Sequence, residues 1–123
     1  MASVAPKTAT VALVGSESLM GREIRDLIAT TDFPARVNLV ASGEGESGVL
    51  TEFEGEPAVV GKLDVESLSG AKAVFLAGSP ESTRTVLALE TKTPLIDLTY
   101  TAEDFPQARV RAPMVEPARE RPE

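Results

Sequence analysis

One heptapeptide carries most of the chemistry this sequence could do: Gly15-Ser16-Glu17-Ser18-Leu19-Met20-Gly21. It follows the short apolar run Ala9–Val14 (ATVALV) and opens a stretch of helical periodicity. A glycine-spaced turn between a strand and a helix is well suited to holding an anion. Backbone N–H groups at the helix start and the helix dipole receive negative charge. Glycines let the chain reverse sharply and let backbone approach a phosphate. At the first strand of a strand–helix–strand unit, the ligand this arrangement fits is the pyrophosphate of a dinucleotide. Gly15 can serve the tight turn and Gly21 the close packing of helix on strand. The same spacing also serves purely structural junctions, in which the two glycines only make a tight turn in an inherited fold.

Other chemistries are poorly supplied. The 123 residues include no Cys and no His, so there is no thiol nucleophile, no disulfide framework and no imidazole base or metal ligand. No Gly-Lys-Ser/Thr follows the turn, which excludes a P-loop nucleotide hydrolase. No carboxylate spacing resembles a calcium loop, so no metal site is expected. A net charge of −7, without a basic run, argues against nucleic acid and anionic membranes. No stretch is long enough to span a membrane, and residues 1–8 lack the apolar core of a signal peptide. A cytoplasmic location is the default expectation.

The elements that must position the turn can be read from apolar patterning. Hydrophobic residues make up 42% and aromatic residues 4%, so the core must come from Val, Leu, Ile and Ala. After the first strand, Leu19, Ile24, Leu27 and Ile28 mark the apolar face of a helix ending near Thr30 or Thr31. Val37–Ala41 is the next strand, and Ser42–Gly48 (SGEGESG) a loop with no means of packing. Val49–Val60 reads as a hairpin turning near Glu54-Gly55. A helical turn over Asp64–Leu68 leads into the strand Ala73–Ala77. Ser79-Pro80-Glu81 reads as a helix start, with Ser as N-cap, Pro at the first position and an acid in the first turn. That helix runs to about Glu90, and Pro94–Leu98 is a further strand. One more strand is expected near Val110 or Val115. Residues 1–8 read as a flexible start, 9–115 as one domain, and 116–123 (EPARERPE) as a linker or frayed tail. Apolar strands alternating with helices predict an α/β, Rossmann-like single domain, with a mostly parallel sheet covered by helices on both faces.

With these elements in place, the sequence resembles the N-terminal NAD(P)-binding domain of the aspartate-semialdehyde dehydrogenase family. The resemblance runs from Val11 to about Pro117. VALVGSESLMGREI is similar to the family's VAxVGATGxVG-like opening at Val11, Gly15, Gly21, Arg22 and Glu23. Asp32-Phe33-Pro34 matches a DFP-like loop, and Ala41-Ser42 and Ala77-Gly78 match two strand ends. Asp97 ends another strand, and Met114-Val115-Glu116-Pro117 is similar to a PEV-like segment. The resemblance implies that Gly15, Ser16, Glu17, Ser18, Leu19, Met20 and Gly21 border the pyrophosphate, with Ser42 and Glu44 near the adenosine ribose. It places Ala77, Gly78 and Ser79 beside the nicotinamide.

The departures fall where that chemistry would be. Ser18 stands in place of a glycine and adds a Cβ where backbone should meet phosphate. Glu17 adds a carboxylate, and two like charges about 4 Å apart repel by about 1 kcal/mol in water and several in a drier site. That lowers affinity unless Glu17 swings into solvent. The loop after the second strand carries Gly43, Glu44, Gly45 and Glu46, where the family often has an Arg for the 2′-phosphate of NADP. Its acids should repel that phosphate and could accept from a ribose hydroxyl, so NAD is expected over NADP. Glu44 and Glu46 also read simply as a solvated loop, Ser79 as a helix cap, and Asp97 as a cap or a bond to the next loop. Asp97-Leu98-Thr99-Tyr100 lacks the family's Asn-Ser-Ser and the Arg nearby.

Two readings follow. In the first, the chain is an NAD-binding domain of a semialdehyde-dehydrogenase-like oxidoreductase of amino-acid biosynthesis. The family's activity is the reduction of an acyl phosphate to an aldehyde through a thioester, and this chain would only orient the nicotinamide. Its partners would be a dinucleotide and a catalytic domain. In the second, it binds no cofactor and is a non-catalytic Rossmann scaffold that meets a partner protein. No residue of the chain is expected to be catalytic in either.

Overall fold

A computed structural model of the chain describes residues 9–43, 47–89 and 91–104. The strand expected near Val110 or Val115, the segments 1–8 and 116–123, and Glu44 with Glu46 lie outside the described residues. Strands β1 (Ala9–Val14), β2 (Ala35–Val40), β5 (Val74–Leu76) and β6 (Leu95–Asp97) form one sheet in the order β2-β1-β5-β6. All of its pairings are parallel. The central strand β1 must be apolar on both faces, and Ala12, Leu13 and Val14 are fully buried. Burying a leucine such as Leu13 contributes roughly 1.5–3 kcal/mol.

Two apolar clusters show that both faces of the sheet are covered. On one, Ala12, Val14, Val74 and Leu76 meet Leu68 of α2 (Val65–Leu68) and Val86 of α3 (Pro80–Ala88). On the other, Leu13, Leu39 and Phe75 meet Ile24 of α1 (Leu19–Ala29). Phe53 and Ala58, from β3 (Leu50–Phe53) and β4 (Glu56–Val59), pack on that same face. Covered faces fit the continuous apolar runs of the strands, as parallel sheets require. The architecture is α/β and Rossmann-like.

The local signals are realised closely. Strands β3 and β4 pair antiparallel around Glu54 and Gly55, whose φ angles of 53° and 81° suit a two-residue hairpin turn. Ser79 caps α3 with Pro80 at its start, and Ser79 and Ser82 satisfy each other's backbone N–H reciprocally. Two expectations shift. Strand β2 begins at Ala35 rather than Val37, because Ala35 and Arg36 extend the pairing opposite Ala9 and Thr10. The apolar face assigned to α1 is also partly wrong: Leu19 and Leu27 are exposed, and Gly21, Arg25 and Ile28 face inward. The missing Cβ of Gly21 draws the helix onto the β1 turn and rotates that i, i+4, i+7 stripe toward the fold. Beyond β4 the chain adds to the outer edge of β2. There Gly61 N–H donates to Leu39 O (2.8 Å) and Ala41 N–H to Gly61 O (2.9 Å).

Candidate functional site

At the end of β1 the chain turns across β2. The N–H groups of Gly15 and Ser16 both donate to Val40 O, at 2.8 and 3.3 Å. Gly15 has φ +85°, which favours glycine. A Cβ on Gly15 would fall 2.3 Å from Gly78 Cα, and one on Gly21 would fall 2.0 Å from Gly15 O. A Cβ on Gly78 would lie 2.7 Å from both Ser42 Cβ and Ser82 Oγ. The β1–α1 and β5–α3 turns are thus in backbone contact, with Ser42 beside them. This brings together Gly15, Ser16, Ser18, Gly21, Ser42, Ala77 and Gly78 at the carboxyl ends of three strands. Leu19 and Met20 stand exposed at the start of α1. The Ser79 hydroxyl accepts from Ser82 N–H (3.1 Å), the cap expected of it.

Ser18 does more than add bulk. It is the N-cap of α1, its Oγ accepting from Gly21 N–H at 2.9 Å and donating to Ala77 O at 2.7 Å. The hydroxyl therefore bridges the amino end of α1 to the end of β5. Leu19 and Met20, in the first turn, keep amides with no intrahelical acceptor. Ser16 is fully buried, and its Oγ has no hydrogen-bond partner among the described residues.

Glu17 takes neither of the positions expected of it. Its carboxylate neither stands free over the turn nor swings into solvent. Glu17 Oε2 accepts from Arg22 Nη2 and Oε1 from Arg25 Nη1, each at 3.1 Å, with only 15% of the side chain exposed. Arg25 is 8% exposed. It also donates to Ser16 O (3.2 Å), Thr51 Oγ1 (3.1 Å) and Glu52 O, with its guanidinium 5.8 Å from the Phe53 ring centroid. In the sequence Arg25 is a polar residue between the apolar Ile24 and Leu27. The Gly21, Arg25, Ile28 spacing was a signal for it; the hairpin partners, some 26 residues away, gave none.

At the far side of the sheet, Asp97 bonds to the following loop, one of the roles considered for it. Its Oδ1 accepts from Thr99 N–H (2.8 Å) and Thr99 Oγ1 (2.5 Å), and its Oδ2 from Ala102 N–H (2.7 Å). Thr83 Oγ1 lies 2.9 Å from Thr99 Oγ1. Among the described residues, no group of three His, Cys, Asp or Glu side chains could hold a metal ion. A cavity of about 340 Å³ lies between the outer edge of β2 and the hairpin, against Val37, Leu39, Ala58, Val59 and Gly61. It touches none of the residues gathered at the glycine turn. No described helix is long and apolar enough to cross a membrane.

No family model matches the chain, and no curated protein matches it by sequence. Solved structures do match it. A probable aspartate-semialdehyde dehydrogenase from Pseudomonas aeruginosa superposes with a TM-score of 0.67 at 27% identity, over 79% of this chain and 30% of that one. Aspartate-semialdehyde dehydrogenase II from Vibrio cholerae, complexed with ASA, gives 0.63 at 21% identity, over 80% of this chain and 33% of that one. Another structure of the Vibrio cholerae enzyme gives 0.62 at 22% identity, over 78% and 29%. The likeness is one of fold, and the chain spans about a third of the length of these enzymes.

Proposed function

We propose that the chain is the dinucleotide-binding domain of an oxidoreductase related to aspartate-semialdehyde dehydrogenase, and that it takes NAD in preference to NADP. The observation that carries this reading is the contact of Gly15 with Gly78. From β1 the chain runs to β2 on one side and later returns to β5 on the other, so this contact lies at the switch point of the sheet. Open α/β sheets bind ligands in the crevice at that point. Here the crevice receives the amino end of α1, and glycine keeps both turns free of side chains that would fill it.

The residues present fit a dinucleotide in outline. The backbone from Gly15 to Met20 would hold the diphosphate, with the Leu19 and Met20 amides as donors. Ser42 and the Glu44 loop would meet the adenosine ribose, and Ala77, Gly78 and Ser79 would border the nicotinamide. NAD, when bound, supplies the hydride acceptor or donor. The chain's own work is to bind, orient and exclude water. With no Cys and no His in its sequence, the covalent chemistry of acyl-phosphate reduction falls to another domain.

Ser18 favours a second reading, a non-catalytic scaffold that meets a partner protein. Its hydroxyl occupies the Gly21 amide and spans the crevice to Ala77 O. Calorimetric titration of the native chain and Ser18→Gly with NAD, NADP and ADP-ribose separates the two. Saturable NAD binding, weaker NADP binding and a gain on Ser18→Gly support the cofactor site. No binding to either protein at millimolar ligand overturns it in favour of the scaffold.

A further inference from the structure

The backbone of the glycine turn is already fixed without Glu17 and Arg25. Val40 O receives the Gly15 and Ser16 amides, Gly15 O receives the Ser18 amide, and Ser18 Oγ caps Gly21. Yet the fold buries an arginine here and aims it at the one acidic side chain of the turn. Arg25 reaches four oxygens, two of them on the turn (Ser16 O and Glu17 Oε1) and two on β3 (Thr51 Oγ1 and Glu52 O). With Arg22 on the other carboxylate oxygen, two guanidiniums face one carboxylate, for a local charge of +1. Without Arg25, one carboxylate oxygen beside the amino end of α1 would be released. The Leu19 and Met20 amides, two and three residues on in the first turn of α1, have no intrahelical acceptor. A carboxylate is favoured at a helix amino end, so it would compete there with any other anion.

We propose that Arg25 is a positioning residue for the glycine turn, holding the Glu17 carboxylate off the amino end of α1 so that the turn admits a diphosphate. The proposal rests on the reading of the turn as a diphosphate cradle. Arg25 is buried, with its guanidinium engaged by Ser16, Glu17, Thr51 and Glu52, so it acts through Glu17. Its effect is therefore electrostatic and falls on the charged part of a ligand alone. Removing Glu17 as well should cancel it.

The test uses the whole chain as native protein, Arg25→Met, Arg25→Lys, Glu17→Gln and the double variant Glu17→Gln/Arg25→Met. Each is titrated with ADP-ribose and with adenosine. Arg25→Met should weaken ADP-ribose about tenfold, the effect of losing one of the two guanidiniums that offset the carboxylate at a partly dry site while Arg22 keeps the other oxygen. Adenosine affinity should not change. The double variant should recover to within about threefold of native, and Arg25→Lys, which keeps the charge but loses the fork, should fall between. Failure of the double variant to recover would show that Arg25 acts through the fold, and would overturn the proposal. The ligand-free proteins give an independent readout in the Leu19 and Met20 amide resonances. These should move in Arg25→Met, as the carboxylate reaches them, and return in the double variant. If no protein binds ADP-ribose while these amides respond, the positioning of Glu17 stands and the dinucleotide reading falls. If the amides do not respond, the positioning role falls. Should Arg25→Met not fold, Arg25→Lys and Glu17→Gln/Arg25→Lys answer the same question.

Discussion

Gly15 and Gly78 meet so closely that a Cβ on the first would fall 2.3 Å from the Cα of the second. Gly15→Ala therefore meets two obstacles, a backbone at φ +85° and another backbone with no flexible end to yield. The conformational part costs about 1 kcal/mol and the overlap about 1–3 kcal/mol, so roughly 2–4 kcal/mol of stability should be lost. That is a large share of the roughly 5–15 kcal/mol of a typical domain. Gly43 has no atom of the described residues within 4 Å of a would-be Cβ, and Gly43→Ala should stay within about 0.5 kcal/mol of native. Urea unfolding of both variants checks the contrast.

What was legible in the sequence was what neighbouring residues decide. Ser79-Pro80-Glu81 announces a helix start because capping is settled within one turn, and Glu54-Gly55 announces a hairpin for the same reason. The runs Ala9–Val14 and Ala73–Ala77 read as buried strands because a sheet covered on both faces needs continuous apolar residues. The roles of Ser18 and Glu17 were not legible, since both depend on distant partners. Ser18 looked like an obstruction, yet its hydroxyl finds Ala77 O, which lies 59 residues on. Glu17 looked like an exposed charge, because nothing local shows that Arg25 will be pinned by Thr51 and Glu52.

Asp97 accepts three hydrogen bonds through its two carboxylate oxygens. Asp97→Asn keeps the shape but turns one acceptor into a donor that faces either Thr99 or the Ala102 N–H. A mismatched donor in a half-buried network costs about 1–3 kcal/mol. Thr99→Val removes the hydroxyl that links Asp97 to Thr83. Because the two substitutions break one network, their combined cost in urea unfolding should be less than the sum of the single costs.

Asp64 caps α2, its Oδ1 accepting from Ser67 N–H at 2.8 Å. That backbone bond, followed by the Ser67 hydroxyl, holds its carboxyl below the ordinary value of 3.8. A carboxyl with a depressed value in the folded state adds stability above its unfolded value and loses it as pH falls through the folded one. Asp64→Asn retains a good N-cap and removes the titration. Native protein should therefore be the more stable of the two at about pH 7, and the gap should narrow as pH falls below the ordinary value of 3.8. Urea midpoints of both proteins across that range measure it, and a gap independent of pH would contradict the assignment.

Ser18 should rank substitutions in an order that a side chain merely filling space would not produce. Ser18→Ala loses the cap on Gly21, worth about 1 kcal/mol, and leaves Ala77 O, at a buried residue, without its donor, for about 1 kcal/mol more. Ser18→Gly loses the same donor, but glycine is itself a tolerable N-cap, so its cap penalty is only a few tenths of a kcal/mol. Ser18→Thr keeps the hydroxyl, and with it both bonds, and should cost least. The expected order of stability is therefore Ser, Thr, Gly, Ala. If Ser18 served only as bulk across the crevice, alanine, which keeps a Cβ, would instead be better tolerated than glycine. Urea unfolding of the three variants decides between these orders without any ligand.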